Sequence, residues 1–177
     1  MVNSKAKGNS NEYKVAKILT EWSELEFHHL PASGALRWNG VIWTFGDLLP
    51  PESLPIVVEC KWWKEVSVEE ILGTSQSCPA TGKIIDWWLQ TTRDAARCKV
   101  ALNTAVEPIL IWKHDYGQLR ICVREEFMMG FPSEVLDNLK FITSHFQNPP
   151  EFSMTDLKHF LKNVDFIQFS ENLLKFL

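Results

Sequence analysis

Residues 57–61 read Val-Val-Glu-Cys-Lys, a β-branched run that carries one carboxylate and one ammonium group. Side chains alternate between the two faces of a strand, so Glu59 and Lys61 share one face and Cys60 points to the other. Upstream, Gly46 allows tight backbone geometry before Asp47, which a neighbouring strand could bring beside Glu59. Two acids beside one ammonium group indicate a site for a divalent cation.

Two structural readings of these residues stay open at this point. An aspartate after a glycine is commonly a turn residue, and Asp47 fits that description. Glu59 and Lys61 lie one pleat apart and could simply form an ion pair. A charge inside an apolar strand is costly unless it is paired. In either reading, therefore, the charges of Glu59 and Lys61 need a partner of opposite sign.

The bulk composition is that of a globular protein. The chain has 177 residues, of which 45% are hydrophobic and 23% charged, enough for one domain with a core. No apolar run approaches the roughly 20 residues of a membrane span, and the first residues lack the apolar segment of a signal peptide. The four cysteines form no Cys-x-x-Cys pair; they are Cys60, Cys78, Cys98 and Cys122. We therefore expect a cytoplasmic protein with reduced thiols and no membrane association.

The net charge of −4 gives no support to broad, non-specific binding of nucleic acid. Lysines nevertheless cluster near the N-terminus, and further basic residues follow in the middle of the chain. These residues could form a local basic face, or they could be an ordinary solvated helix surface.

Hydrophobic periodicity and turn residues predict alternating helices and strands. The predicted helices are 9–24, 67–72, 83–98, 133–146, 154–163 and 170–177, and the predicted strands are 36–45, 56–62, 108–113 and 118–124. The last two strands should form a hairpin. This order predicts an α/β fold with a mixed central β-sheet flanked by helices. We expect a core over residues 1–130 and a helical C-terminal extension over 131–177.

Four short elements, in this order, resemble the PD-(D/E)XK nuclease superfamily, and more narrowly its Holliday-junction-resolvase-like group found in archaea and phages. They are Lys7-Gly8-Asn9-Ser10-Asn11-Glu12, Ser33-Gly34, Gly46-Asp47 and Glu59-Cys60-Lys61. The resemblance covers about residues 5–64, and more loosely the chain to about 124, and it implies a restriction-endonuclease-like core. Three features depart from it: no proline precedes the first acid, the chain is acidic, and His28-His29 replaces a common arginine.

The resemblance implies a role for each matching residue. Asp47, Glu59, the backbone carbonyl of Cys60 and Glu12, directly or through water, would bind Mg²⁺ or Mn²⁺. Lys61 would orient the attacking water or stabilise charge at the phosphate, and Ser33 would lie near the scissile phosphate. Gln90, on the helix that follows the Glu-x-Lys strand, would hold the water or the phosphate, unless it is simply an exposed helix residue. The implied DNA contacts are Lys5, Lys7, Arg37, Lys64 and Arg93.

The function that the resemblance implies is Mg²⁺-dependent endonuclease activity on DNA, by hydrolysis of phosphodiester bonds. The substrate would be branched or otherwise structured DNA, such as a four-way junction, and the enzyme would be a homodimer because two strands must be cut. Two alternatives remain: a nuclease for DNA end-processing or restriction, and a non-catalytic, nuclease-derived module that binds DNA or a protein.

Overall fold

A mixed β-sheet forms the centre of the protein in a computed structural model that describes the backbone of residues 4–30, 45–64, 83–144 and 151–176, and side chains from residue 10 onward within them. Its strands are β1 (His28–His29), β2 (Leu48–Leu49), β3 (Ile56–Trp63), β4 (Glu107–His114), β5 (Arg120–Arg124), β6 (Phe141–Thr143) and β7 (Phe152–Asp156). The helices are α1 (Ser4–Ser23), α2 (Lys83–Leu102), α3 (Glu125–Met129), α4 (Ser133–Asn138), α5 (Leu157–Asn163) and α6 (Phe166–Leu174). The predicted α/β fold with a mixed sheet and flanking helices is confirmed.

The described strands lie side by side in the order β1-β2-β3-β4-β5-β7-β6. β3 and β4 are parallel and are connected through α2, whereas the other neighbouring pairs are antiparallel. β3 is therefore an interior strand, and β4 and β5 form a hairpin, as the sequence predicts. The predicted strand 36–45, apart from Phe45, and the predicted helix 67–72 lie outside the described residues.

The two faces of the sheet are covered by different helices. On one face, the alternate β3 residues Ile56, Val58 and Cys60 pack in a core with α1 and with the C-terminal helices, which contribute Phe127 and Phe160. On the other face, α2 packs against the sheet through two smaller clusters. These contain Ile84 and Trp88 against β4, β5 and β7, and Ala95 and Cys98 against Val57. The face opposite α1 is also the one that carries Glu59 and Lys61.

The C-terminal segment contains helices, as expected, but it also contributes strands β6 and β7 to the sheet. Helix was predicted for 133–146 and 154–163; the helices end at Asn138 and begin at Leu157, respectively. The strand β7 alternates small polar with apolar residues, and Ser153 and Thr155 are buried. The Ser153 hydroxyl contacts that of Thr143, and Thr155 donates to the carbonyl of Lys140. A domain boundary near residue 130 stays a prediction.

Glu107 lies buried at the start of β4. It accepts hydrogen bonds from the backbone N–H and the Nε of Arg124, at 3.1 and 2.7 Å. Burial raises the pKa of Glu107 to about 7, against the lowering effect of Arg124.

No helix in the described ranges combines the length and the apolar character that a membrane span requires.

Candidate active site

Asp47 is held against β3 by its own backbone and by its carboxylate. Its N–H donates to the carbonyl of Val58 at 2.9 Å, and its carbonyl accepts from the N–H of Leu30 at 3.1 Å. Its Oδ2 accepts from the N–H of Cys60 at 2.8 Å, and the residue is 5% exposed. These bonds fix the carboxylate beside the middle of β3, directly before the short pairing of β2 with β3. Asp47 is thus more than a turn residue.

Gly46 makes this placement possible. Its φ of +80° lies in the left-handed region, and a Cβ on this residue would lie 2.5 Å from the carbonyl oxygen of Val58. That carbonyl is the acceptor for the N–H of Asp47. A side chain at position 46 would therefore strain the backbone and push against the group that positions Asp47.

We expect Gly46→Ala to destabilise the protein by about 1 to 3 kcal/mol, which lowers the melting temperature by about 2 to 12 °C in a chain of this size. Gly46→Asn is the matched variant. Asparagine tolerates positive φ better than alanine does, yet it carries the same Cβ, so contact with Val58 predicts a similar loss in both. Thermal melting measures this, and an asparagine variant as stable as the wild type would contradict the contact argument.

Glu59 and Lys61 lie on one face of β3, as their spacing predicts, and Gln90 of α2 joins them. The Nζ of Lys61 and the Nε2 of Gln90 both donate to Oε1 of Glu59, the latter at 2.8 Å. Glu59 is 3% exposed, whereas Lys61 is partly open to solvent. Cys60 points to the opposite face, into the core. The structure therefore brings Gln90 to the side chain of Glu59 instead of leaving it on an open helix surface.

Glu12 approaches from α1 and contacts His29, which no sequence motif singles out. The Nε2 of His29 lies 2.7 Å from Oε2 of Glu12, within ion-pair distance. The imidazole of His29 is buried and packs on the ring of Tyr13, with centroids 4.4 Å apart. A single histidine in a two-residue strand carries no periodic signal. The one signal in the sequence is the departure noted above, in which His28-His29 replaces an arginine common in the group that the N-terminal motifs resemble.

The carboxylates perturb one another, so they lie within electrostatic reach. Burial and the charge of Asp47 raise the pKa of Glu59 to about 7, and Lys61 opposes the increase. Burial and Asp47 also raise the pKa of Glu12, which His29 counteracts. Burial disfavours the charged form of Lys61, but Glu59 and Asp47 outweigh it, and the pKa of Lys61 is raised. The charge of Asp47 thus acts on two acids that resist ionisation.

The donor set is that of a hard divalent cation, since carboxylate oxygens are the preferred ligands of Mg²⁺ and Mn²⁺. A cation would also relieve the repulsion among the buried acids. Within the described ranges, however, no three His, Cys, Asp or Glu residues form a group that could hold a metal ion. At Glu59, Lys61 and Gln90 occupy Oε1. The four metal ligands stay predictions: Glu12, Asp47, Glu59 and Cys60.

Some of the remaining candidate residues lie within the described part of the chain and others lie outside it. Lys64 is exposed directly after β3, and Arg93 is exposed on α2, where its Nε donates to the carbonyl of Leu89 at 3.0 Å. Ser33 and Arg37 lie outside the described residues. Lys5 and Lys7 belong to the first turns of α1, and their side chains lie outside the described part.

Comparison with known proteins gives two matches. A family model described as "Phage putative PDDEXK endonuclease" matches residues 3–169. Protein D14 of Escherichia phage T5 is 32% identical over 127 residues, which cover 69% of this chain and 71% of that protein. No solved structure gives a significant match. The match to the family model includes every element of the candidate site.

Proposed function

Because the chain belongs to the phage PDDEXK endonuclease family, we propose that it is a metal-dependent endodeoxyribonuclease that hydrolyses phosphodiester bonds in branched or otherwise structured DNA. The observation that carries this proposal is the buried Glu59, bound by Lys61 and Gln90 and electrostatically coupled to Asp47. A plain structural ion pair would need neither the second acid nor the amide.

In this proposal each residue of the site has its own role. Asp47 and Glu59, together with Glu12 and the backbone carbonyl of Cys60, would hold Mg²⁺ or Mn²⁺. When bound, such a cation lowers the pKa of a water and neutralises charge on the phosphate. Gln90 restrains the carboxylate of Glu59 at 2.8 Å, and in this proposal its amide also contacts the water or the phosphate.

Lys61 acts as a fixed positive charge in this proposal. Its ammonium donates to Glu59, and its pKa is raised because neighbouring carboxylates outweigh its burial. A group that keeps its proton serves poorly as a general base. Lys61 therefore orients the attacking water or stabilises the charge that develops on the phosphate. Ser33 would lie near that phosphate, and Lys5, Lys7, Arg37, Lys64 and Arg93 would contact the DNA backbone.

The preference for branched DNA, the homodimer and the cytoplasmic location are parts of the same proposal. A four-way junction offers two strands for cutting, and a two-fold symmetric pair of sites suits that geometry. A nuclease for end-processing or restriction would use the same residues on other DNA. A non-catalytic binding module would not need the coupled acids.

Cleavage of a four-way junction, a linear duplex and a single strand, each with Mg²⁺ and with EDTA, separates these functions. We expect Mg²⁺-dependent cleavage that is at least about tenfold faster on the junction, a preference of roughly 1.4 kcal/mol. Equal rates on all three substrates would reject the preference for branched DNA. Without cleavage, and without Mg²⁺ or Mn²⁺ binding in calorimetry, the binding module would be the better function.

A further inference from the structure

Trp63 is the outer end of a row of three tryptophan rings on the α2 side of the sheet. The ring centroids of Trp63 and Trp87 are 6.3 Å apart, and those of Trp87 and Trp112 are also 6.3 Å apart. Exposure rises along the row: Trp112 is 2% exposed, Trp87 is half-buried, and Trp63 is 43% exposed. The inner two rings pack in the core beneath α2, whereas Trp63 keeps much of its surface in solvent.

Trp63 lies beside the candidate active site in space. Trp63 and Lys61 are alternate residues of β3, so their side chains project from the same face, about 7 Å apart along the strand. α2 contacts both ends of this stretch, because Gln90 donates to Glu59 and Trp87, one helical turn earlier, contacts the ring of Trp63. Two elements therefore place the exposed ring next to Lys61, on the face that carries Glu59.

Positive charge accompanies the exposed ring. The Nζ of Lys83, at the start of α2, lies 3.8 Å from the centroid of the Trp63 ring. Lys64, which is exposed, directly follows Trp63, and Lys61 is one pleat away. The described segments that adjoin them contribute two acids, Asp86 and Asp115. Lysines therefore outnumber acids here, in a chain whose net charge is −4. Phosphates bind to such ammonium groups, and unpaired bases stack on exposed aromatic rings.

The ring of Trp63 is held in position before any ligand arrives. The backbone carbonyl of Trp63 accepts a hydrogen bond from the N–H of Asp115 at 2.9 Å, and Trp63 is paired with His114 in the parallel ladder of β3 and β4. Its ring also contacts Trp87. A surface that is already ordered loses little conformational freedom on binding. Lys83, by contrast, carries its ammonium on a flexible stem, so it can turn from the ring to a phosphate.

We propose that Trp63 and Lys83 form a subsite for one unpaired nucleotide of DNA, with its base stacked on the indole of Trp63 and its phosphate at Lys83. This inference rests on the proposed nuclease function and makes it more specific: the unpaired nucleotide adjoins the scissile phosphate at Lys61. Bases inside a continuous duplex are stacked on each other and cannot use the indole. Branch points and splayed ends supply unpaired bases, so the subsite favours such DNA.

Binding of a splayed duplex in EDTA tests the subsite without any need for cleavage. Fluorescence anisotropy compares a normal single-stranded arm with an abasic arm, which keeps the phosphates and lacks the bases. We expect the wild type to bind the abasic arm about tenfold more weakly, as the loss of a base–aromatic stack predicts. Trp63→Leu should bind the normal arm about tenfold more weakly than the wild type does, with no further loss on the abasic arm. Trp63→Phe keeps an aromatic face and should stay within about threefold of the wild type.

Lys83→Ala tests the phosphate contact. It should weaken binding of the normal and the abasic arm equally, and it should reduce the slope of log affinity against log salt by about 0.7, for one lost contact to a single strand. The matched control is Lys99→Ala, which removes an exposed lysine from the other end of α2 and should match the wild type. Should Trp63→Leu fail to fold in thermal melting, the abasic comparison in the wild type and the salt slope of Lys83→Ala still decide.

Equal affinity of the wild type for the two arms would overturn the inference, as would losses from Trp63→Leu and the abasic arm that simply add. Cleavage with Mg²⁺ tests the position of the subsite. A single abasic nucleotide moved along the arm should slow cleavage most, about tenfold, when it adjoins the bond that is cut; an effect independent of its position would contradict the placement beside Lys61. A wild type that shows the expected binding in EDTA but cleaves nothing would reject the proposed nuclease and leave the nucleotide subsite supported.

Discussion

Asp47→Asn and Glu59→Gln are each expected to lower Mg²⁺-dependent DNA cleavage by about a thousandfold or more. Each change removes one negative charge from the proposed cation site, and the stabilisation that a bound cation gives is worth several kcal/mol. Both variants should fold. Asparagine at position 47 keeps an oxygen that can accept a hydrogen bond from the N–H of Cys60. In the wild type this N–H lies 2.8 Å from Oδ2 of Asp47. Glutamine at position 59 keeps the shape of a side chain that is 3% exposed.

The matched control is Glu126→Gln, which replaces an exposed carboxylate whose partner is Arg124, outside the site. Its rate should equal that of the wild type. Alanine variants of the two acids should lose activity as well, although Asp47→Ala also leaves the N–H of Cys60 without its acceptor, which costs about 1 to 3 kcal/mol. Metal-dependent cleavage above a tenth of the wild-type rate in both conservative variants would refute the assignment of the site.

The centre of the site could be predicted from sequence because its geometry is local. The alternation of a strand places Glu59 and Lys61 on one face without any knowledge of the rest of the chain. The helix that follows a strand in a parallel unit must pack back on the sheet, and this brings Gln90 within 2.8 Å of Glu59. Burial of the strand follows from its β-branched residues, and burial is what perturbs the pKa of the acid.

Features that depend on distant pairing could not be predicted in the same way. β6 is three residues long, and β7 alternates small polar with apolar side chains, so neither shows the pattern of a buried strand. The hydroxyls of Ser153 and Thr155 tolerate burial because Thr143 and Lys140 supply partners from another segment. His29 is a similar case, since its significance comes from Glu12 on a different element.

The metal-free protein is expected to lose stability as the pH rises from about 4.5 to about 7, in part because of Glu59. Its pKa is raised to about 7 by burial and by Asp47, from an ordinary value of 4.5. Between these values the unfolded chain has released the proton while the native protein retains it, so the native state binds more protons and stability falls with pH. Below this window Glu59 is protonated in both the native and the unfolded state. Above it Glu59 is ionised in both states, and the full cost of its buried charge is present.

Glu59→Gln isolates this contribution, because Glu107 has a pKa of about 7 as well and adds the same slope to both proteins. At pH 8 with EDTA, urea unfolding should show the variant to be more stable by roughly 1 to 3 kcal/mol, with the difference shrinking towards pH 4.5. Mg²⁺ at a thousand times its Kd should reverse the order at pH 8. A cation bound only to the native wild type then adds about 4.1 kcal/mol, which exceeds the advantage of the variant, whereas the variant has lost a ligand. A wild type that is the more stable of the two at pH 8 in EDTA would mean that Glu59 is stabilised as a charge by Lys61 and Gln90 alone, which would favour a structural ion pair over a cation site.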